Sequence, residues 1–506
     1  EALQALFADR LDPYATDLAY HYDRAEVAEQ AAIWYGRAGE QAASSYANQD
    51  AVQYFSRALE LTAPEHTEAH FKLLLGREAV YDVLGQVEAQ RNDLVRMEEL
   101  AGQLADPLRQ AQALLRRAIY FRLAGDYATA LAATQQAVQA AEQNFNAQLI
   151  VRARHHWGRV YWEQGQYREG QRQLEQALQL ARASADVQGE AECLTDLGSI
   201  HFYQGNYTLA ETHYANALIA YRTLGARKGE VSSLVMLGIL ASQLAEYEAA
   251  LAYFQKAQGL CEPIGYAYGQ GVILGNLGLN YSYVGQYAEA AHCLQQAIDN
   301  CRARKHQLGE SIYLDSQAVI HLHLGNYQAA YRTAQQALVI QQTIKDRRFE
   351  AYSLTYLGDA LFKLSDLPAA EAAYEQALAI RRQLGEEKLM QEALVGLAQV
   401  QLAQGKIAEA ISKIVAVLTW IESHGLEGIE FPIQVYLACY QLLLAGGESE
   451  KAERVLHTGY QLLQTRAAKI MNEPMRQSFL KAVPFNHELS RLYAQQKQVA
   501  GCTPII

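Results

Sequence analysis

Histidine is the side chain best suited to bind a metal or move a proton near neutral pH, and two pairs, His155-His156 and His321/His323, invite that reading. Neither pair is spaced to chelate from a helix. Residues on one helical face stand three or four apart, whereas adjacent residues and residues two apart point in different directions. Packed or surface histidines are the simpler reading. The glycine-rich run Gly269-Gln270-Gly271-Val272-Ile273-Leu274-Gly275 misses the dinucleotide-binding spacing by one position and lies on a predicted helix with no strand before it. No phosphate loop of the form G-x-x-x-x-G-K-S/T occurs. Paired carboxylates such as Glu386-Glu387 fall in predicted loops, where water solvates them, and no serine or cysteine stands in a nucleophile setting. These residues call for no enzyme, no metal and no cofactor.

The bulk composition points the same way. Half of the 506 residues are apolar, only nine are proline, and Ala, Gln, Leu and Tyr recur throughout. Ala, Leu and Gln lose little entropy in a helix, so the chain reads as all-α. A net charge of −12 argues against nucleic acid as the partner, because phosphate binding needs a concentrated basic surface. The six cysteines, Cys193, Cys261, Cys293, Cys301, Cys439 and Cys502, form no C-x-x-C pair and no regular framework. That pattern suits reduced thiols in the cytoplasm. No segment approaches 18 uninterrupted apolar residues, so no membrane span is expected. The chain begins at Glu1 rather than Met, as a piece of something longer would.

What positions these side chains is a repeat. Gly-x-Tyr recurs at Gly125, Gly165, Gly205, Gly285 and Gly325, at intervals of 40 residues or a multiple of 40. Degenerate versions at Gly85, Ala245, Ser365 and Gly405 complete nine units in register. Seven residues before the turn sits a small residue, as at Gly158, Gly198, Gly238, Gly278 and Gly358. After the turn come alanines seven apart, such as Ala210 and Ala217, with a large residue such as Tyr214 between them. Small residues let two helix backbones approach closely, and the large side chain fills the space beside them.

This small–large–small pattern resembles the tetratricopeptide repeat (TPR) family over residues 67 to 422, with a 40-residue period like that of kinesin-light-chain repeats rather than the usual 34. The added residues are expected between repeats, as at Leu224–Glu230 and Leu384–Lys388, with helices of about 17 residues and ~25 Å. The resemblance implies a right-handed α-solenoid of antiparallel TPR helix hairpins. Residues 1–66 read as short hairpins leading in, 67–425 as nine TPR units, and 426–506 as an atypical repeat turning near Gly446-Gly447 with a capping helix around 473–496.

In TPR arrays the first helix of each hairpin lines a concave groove. Carried onto this register, the groove residues are Arg152, His155, Arg159, Trp162, Asp196, Ser199, Phe202, Tyr203, Asn276, Tyr283, Asp315, His323, Asp359 and Lys363. Asp196 and Asn276 match the position where kinesin-light-chain-like repeats often place an Asn that bonds peptide backbone. The Lys/Asn carboxylate clamp of chaperone-binding TPRs is not recognisable. Both ends carry a second resemblance. Asp17-Leu18-Ala19-Tyr20-His21-Tyr22, Ala31–Gly39 and Tyr46–Phe55, with Arg476–Pro484 and Asn486–Leu489, look like the helices that follow the ATPase module in bacterial signalling ATPases of the STAND class. That resemblance implies a sensor arm with an ATPase module upstream in the same chain, and a protein or peptide ligand in the groove, or else a small molecule. A free-standing scaffold is the alternative.

Overall fold

The computed structural model describes residues 11–501 except 46 and 427, so Cys502 and Tyr46 of the motifs above lie outside the described residues. Twenty-five α-helices account for nearly all of it, and the fold is an all-α stack of TPR helix hairpins. By contacts the chain divides into two units, Glu1–Leu224 and Gly225–Ile506. The five described cysteines are free. Among the described residues no helix is long and apolar enough to cross a membrane.

Most helices from Thr67 to His424 are 17 or 18 residues long, as in Val187–Tyr203 and Tyr207–Leu224, and the turns between them are short. The extra length over a 34-residue repeat therefore sits in the helices and not between repeats. Leu224–Glu230, expected to be a connection, is a helix end, a two-residue turn and the start of Arg227–Gln243.

The backbone repeats twice as often as the sequence motif. Every twentieth residue from 85 to 425 takes a positive φ, and each stands just after a helix end. Glycine fills the hairpin turns at Gly125, Gly165 and Gly205, where it adopts this conformation without a side-chain clash. The alternate turns use glycine at Gly225, Gly265, Gly385 and Gly425 and other residues at Ala105, Phe145, Ala185, Lys305 and Lys345, so no one residue type marks the 20-residue period. Asp126, Asp186 and Asp346 then cap the next helix, each accepting a backbone N–H three residues on.

Within a hairpin the small residue of the first helix faces the large residue 16 positions later. A Cβ built on Gly198 would lie 2.6 Å from the ring of Tyr214, and one on Gly238 would lie 2.4 Å from Phe254. Tyr214, Phe254 and Tyr374 are almost wholly buried there. The first helices of successive hairpins also touch one another, which makes theirs the inner face of each unit.

In the second unit the chain then turns back on itself. Helices Pro432–Ala445 and Ser449–Ala468 form a last hairpin, followed by Glu473–Lys481 and Pro484–Gly501 in place of a single closing helix. This tail shares one core with much earlier turns: Tyr247 and Val284 pack with Leu456, Phe479 and Leu489. The Lys469 ammonium donates to the Leu244 carbonyl at 2.8 Å, and the Asn472 backbone N–H donates to the Glu248 carboxylate.

Candidate functional site: two inner faces

In the first unit, the inner face is built on Pro107–Leu123, Ala147–Glu163 and Val187–Tyr203. Two of its carboxylates, Glu163 and Asp196, stand beside basic side chains. Glu163 accepts from Arg122 at 2.6 Å and from Arg159 at 3.3 Å, and His155 Nε2 lies 2.8 Å from Asp196 Oδ2. Burial works against the Asp196 charge, yet Arg159, His155 and Arg122 together hold its carboxyl below the usual range. Asp196 in turn raises Arg159. The Trp162 and Tyr203 rings stack at 5.8 Å, with Phe202 edge-on to Tyr203 at 5.6 Å. Ser199 is buried and bonds the Thr195 carbonyl and the Tyr214 hydroxyl. Arg152 is exposed. Several buried donors at this face, Arg122 Nε and Trp162 Nε1 among them, have no partner.

The inner face of the second unit is covered. The turn that ends in Glu430-Phe431 and the tail helices lie across it. Glu430 accepts from Tyr283 at 3.3 Å and from Tyr356 at 2.7 Å, while the Phe431 backbone N–H donates to Glu392 at 2.9 Å. The Phe431 ring sits among Tyr283, His323 and Phe485 at centroid distances of 5.2–5.9 Å. Tyr283 and His323, expected on an open groove, are therefore held under the protein's own tail. Burial keeps His323 neutral down to about pH 4.

The other expected residues of this unit scatter. Asp315 is an interior residue, not a groove residue: its carboxylate accepts from Gln341 and Ser353, and burial pushes it up to about 8. Asn276 donates its side-chain amide to the Val272 carbonyl of its own helix at 2.8 Å. Asp359 accepts from the Tyr374 hydroxyl at 2.6 Å and faces a cavity of about 490 Å³, with Lys363 exposed beside it. Among the described residues no group of three or more His, Cys, Asp or Glu is arranged to hold a metal ion.

Sequence register found Trp162, Phe202 and Tyr203 and missed their neighbours Arg122 and Glu163. Arg122 holds the register position of Trp162 and Phe202, and Glu163 that of Tyr203, so the register offered both and neither was named. Glu392, Glu430, Phe431 and Phe485 were also missed. Glu430, Phe431 and Phe485 stand outside the repeat and carry no periodic signal.

Residues 234–458 match the MalT-like TPR region, and residues 147–223 and 189–262 match the tetratricopeptide repeat. The protein is thus a tetratricopeptide-repeat protein, MalT-like over much of its second unit. Among solved structures, the Rap protein crystallised with competence and sporulation factor is similar over 71% of this chain and 99% of its own, at 14% identity and a TM-score of 0.51. The apo quorum sensor NprR from B. thuringiensis aligns with the same four values. A STAND protein with a TPR sensor from Pyrococcus horikoshii covers 85% of this chain and 67% of its own at 13% identity, with a TM-score of 0.46. The first two likenesses establish the fold, and the third carries no further weight. No curated protein matches the sequence.

Proposed function

We propose that this chain is the binding arm of a bacterial, cytoplasmic signal-transduction ATPase, and that the inner face of its first unit engages a protein or peptide partner. The observation that carries the reading is the uncovered face around Trp162. Stacked aromatic rings, a partly exposed Arg159 and unpartnered buried donors are the features that energetically useful interfaces employ. Binding there would bias an attached module by shifting contacts between neighbouring repeats, since each repeat touches chiefly its neighbours. The sequence resemblance at both ends supports the attachment to an ATPase. A free-standing scaffold is the second reading, and an in-frame phosphate-loop module upstream separates the two.

The test of binding compares this chain with a variant carrying Arg159→Ala, Trp162→Ala and Tyr203→Ala, matched for circular dichroism and melting temperature. Each is used to capture partners from lysate of the source organism. A partner caught by the parent and lost by the variant supports the arm. A partner held equally by both places binding elsewhere.

A further inference from the structure

Beneath its covering, the inner face of the second unit keeps a cavity of about 490 Å³, within the range of small-molecule sites. Helices Gln307–His323, Arg347–Lys363 and Gln391–Ala403 form one side, and Pro432–Ala445 and Pro484–Gly501 of the tail form the other. Tyr356, Phe362, Phe431 and Phe485 supply aromatic walls. Asp359 and Glu392 open onto the same space from adjacent first helices, and the Glu430 charge acts on Glu392.

These three carboxyl groups differ from Glu163 and Asp196 of the other inner face in one respect. None has a Lys, Arg or His within ion-pair distance among the described residues. Their hydrogen bonds come from the neutral donors Tyr374, Tyr283, Tyr356 and the Phe431 N–H. Glu488, at the cavity edge, is already paired with Arg491; Lys363 also lines the cavity, its ammonium over the Phe362 ring, and its charge favours the Asp359 anion without forming an ion pair. Burial, and then the neighbouring Glu430 charge, push Glu392 up to about 8, and burial pushes Asp359 up to about 6. A space with aromatic walls and carboxyl groups that no cation pairs is complementary to a cation with an apolar body.

We propose that this cavity binds a small organic amine, its ammonium facing Asp359 and Glu392 and its carbon skeleton against Tyr356, Phe362, Phe431 and Phe485. The inference rests on reading the inner face of the repeats as a ligand-binding surface, and it names the ligand class for the second unit. The cavity lies between repeat helices and tail, so an occupant would hold the tail in place from both sides.

The test is calorimetric titration of the whole chain with phenethylamine, cadaverine and spermidine, beside phenethyl alcohol and phenylacetate as neutral and anionic counterparts of the first. At least one amine is expected to bind, with phenethyl alcohol weaker than phenethylamine by about tenfold or more and phenylacetate silent. Asp359→Asn and Glu392→Gln, which keep the shapes and the acceptor oxygens, should each weaken amine binding by about tenfold or more and leave the alcohol unchanged. The proposal is overturned if no amine binds at millimolar concentration, if the alcohol matches the amine, or if both variants bind amine like the parent. Since the alcohol comparison uses the unmodified chain, it decides the matter even where a variant fails to fold. Failure here with partner capture lost by the Arg159/Trp162/Tyr203 variant would remove only the amine, whereas the reverse would remove the first-unit partner and leave the cavity.

Discussion

The two inner faces are built on the same register and solve the problem of buried charge in opposite ways. In the first unit, Glu163 and Asp196 sit among Arg122, Arg159 and His155, and these neighbours favour the Asp196 anion. In the second, Asp359, Glu392 and Glu430 are covered by the tail and receive only neutral hydrogen bonds, so burial favours their protonated forms. One face pairs its charges, and the other is covered and leaves its three carboxyl groups without an ion pair among the described residues. A repeat thus specifies where an inner-face side chain starts and leaves its electrostatic setting to whatever packs across it.

The largest expected effect comes from uncovering the second face. Phe479 is 2% exposed and packs on Tyr247, so Phe479→Ala should cost about 3–5 kcal/mol in chemical denaturation. Hydrogen exchange should then show lost protection around 247 and 283 and none around 155–203. Equal loss in both units would dissolve the contrast between them.

Glu163→Gln should cost about 1–3 kcal/mol, because Arg122, only 10% exposed, would lose the carboxylate it is ion-paired with. Glu392→Gln should act with the opposite sign. The Glu392 pKa in the folded chain, about 8, lies above its ordinary 4.5, so between these pH values the unfolded chain is ionised while the folded one keeps its proton. Stability therefore falls as pH rises through this window, and the penalty is full above it. Asp359 and Asp315 add to the same trend, and His323, depressed to about 4, opposes it below its ordinary 6.5. Thermal melts should show Glu392→Gln more stable than the parent by at least about 1 kcal/mol at pH 8, with the gain vanishing near pH 4.5. A loss at pH 8 would mean that Glu392 has a cationic partner after all.

The smallest effect is expected at Asn276→Ala, within about 0.5 kcal/mol, since its side-chain amide already serves its own helix. Partner capture should be unchanged as well. A marked drop would restore Asn276 as a peptide clamp and extend the binding face into the second unit.

Much of the fold was legible because glycine marks most hairpin turns and because small residues must stand opposite large ones. Gly198 against Tyr214 and Gly238 against Phe254 are readable from spacing alone. The alternate turns were not. Phe145 and Lys345 are ordinary residue types, and only the helices on either side hold them at positive φ. In the site, Trp162 and Tyr203 followed from register, but the neutralisation of Asp196 needs three helices in place at once.

The sequence by itself determined the helices, their 40-residue pairing and the side chains that start on the inner face, because these depend on periodicity and size at short range. Only the tertiary structure decided that Glu430 and Phe431 would lie on Tyr283 and Tyr356, contacts that span up to 148 residues. No local pattern encodes such a return. It depends on the apolar surface that Phe479, Leu456 and Leu489 share with Tyr247 and Val284 once the repeats have stacked.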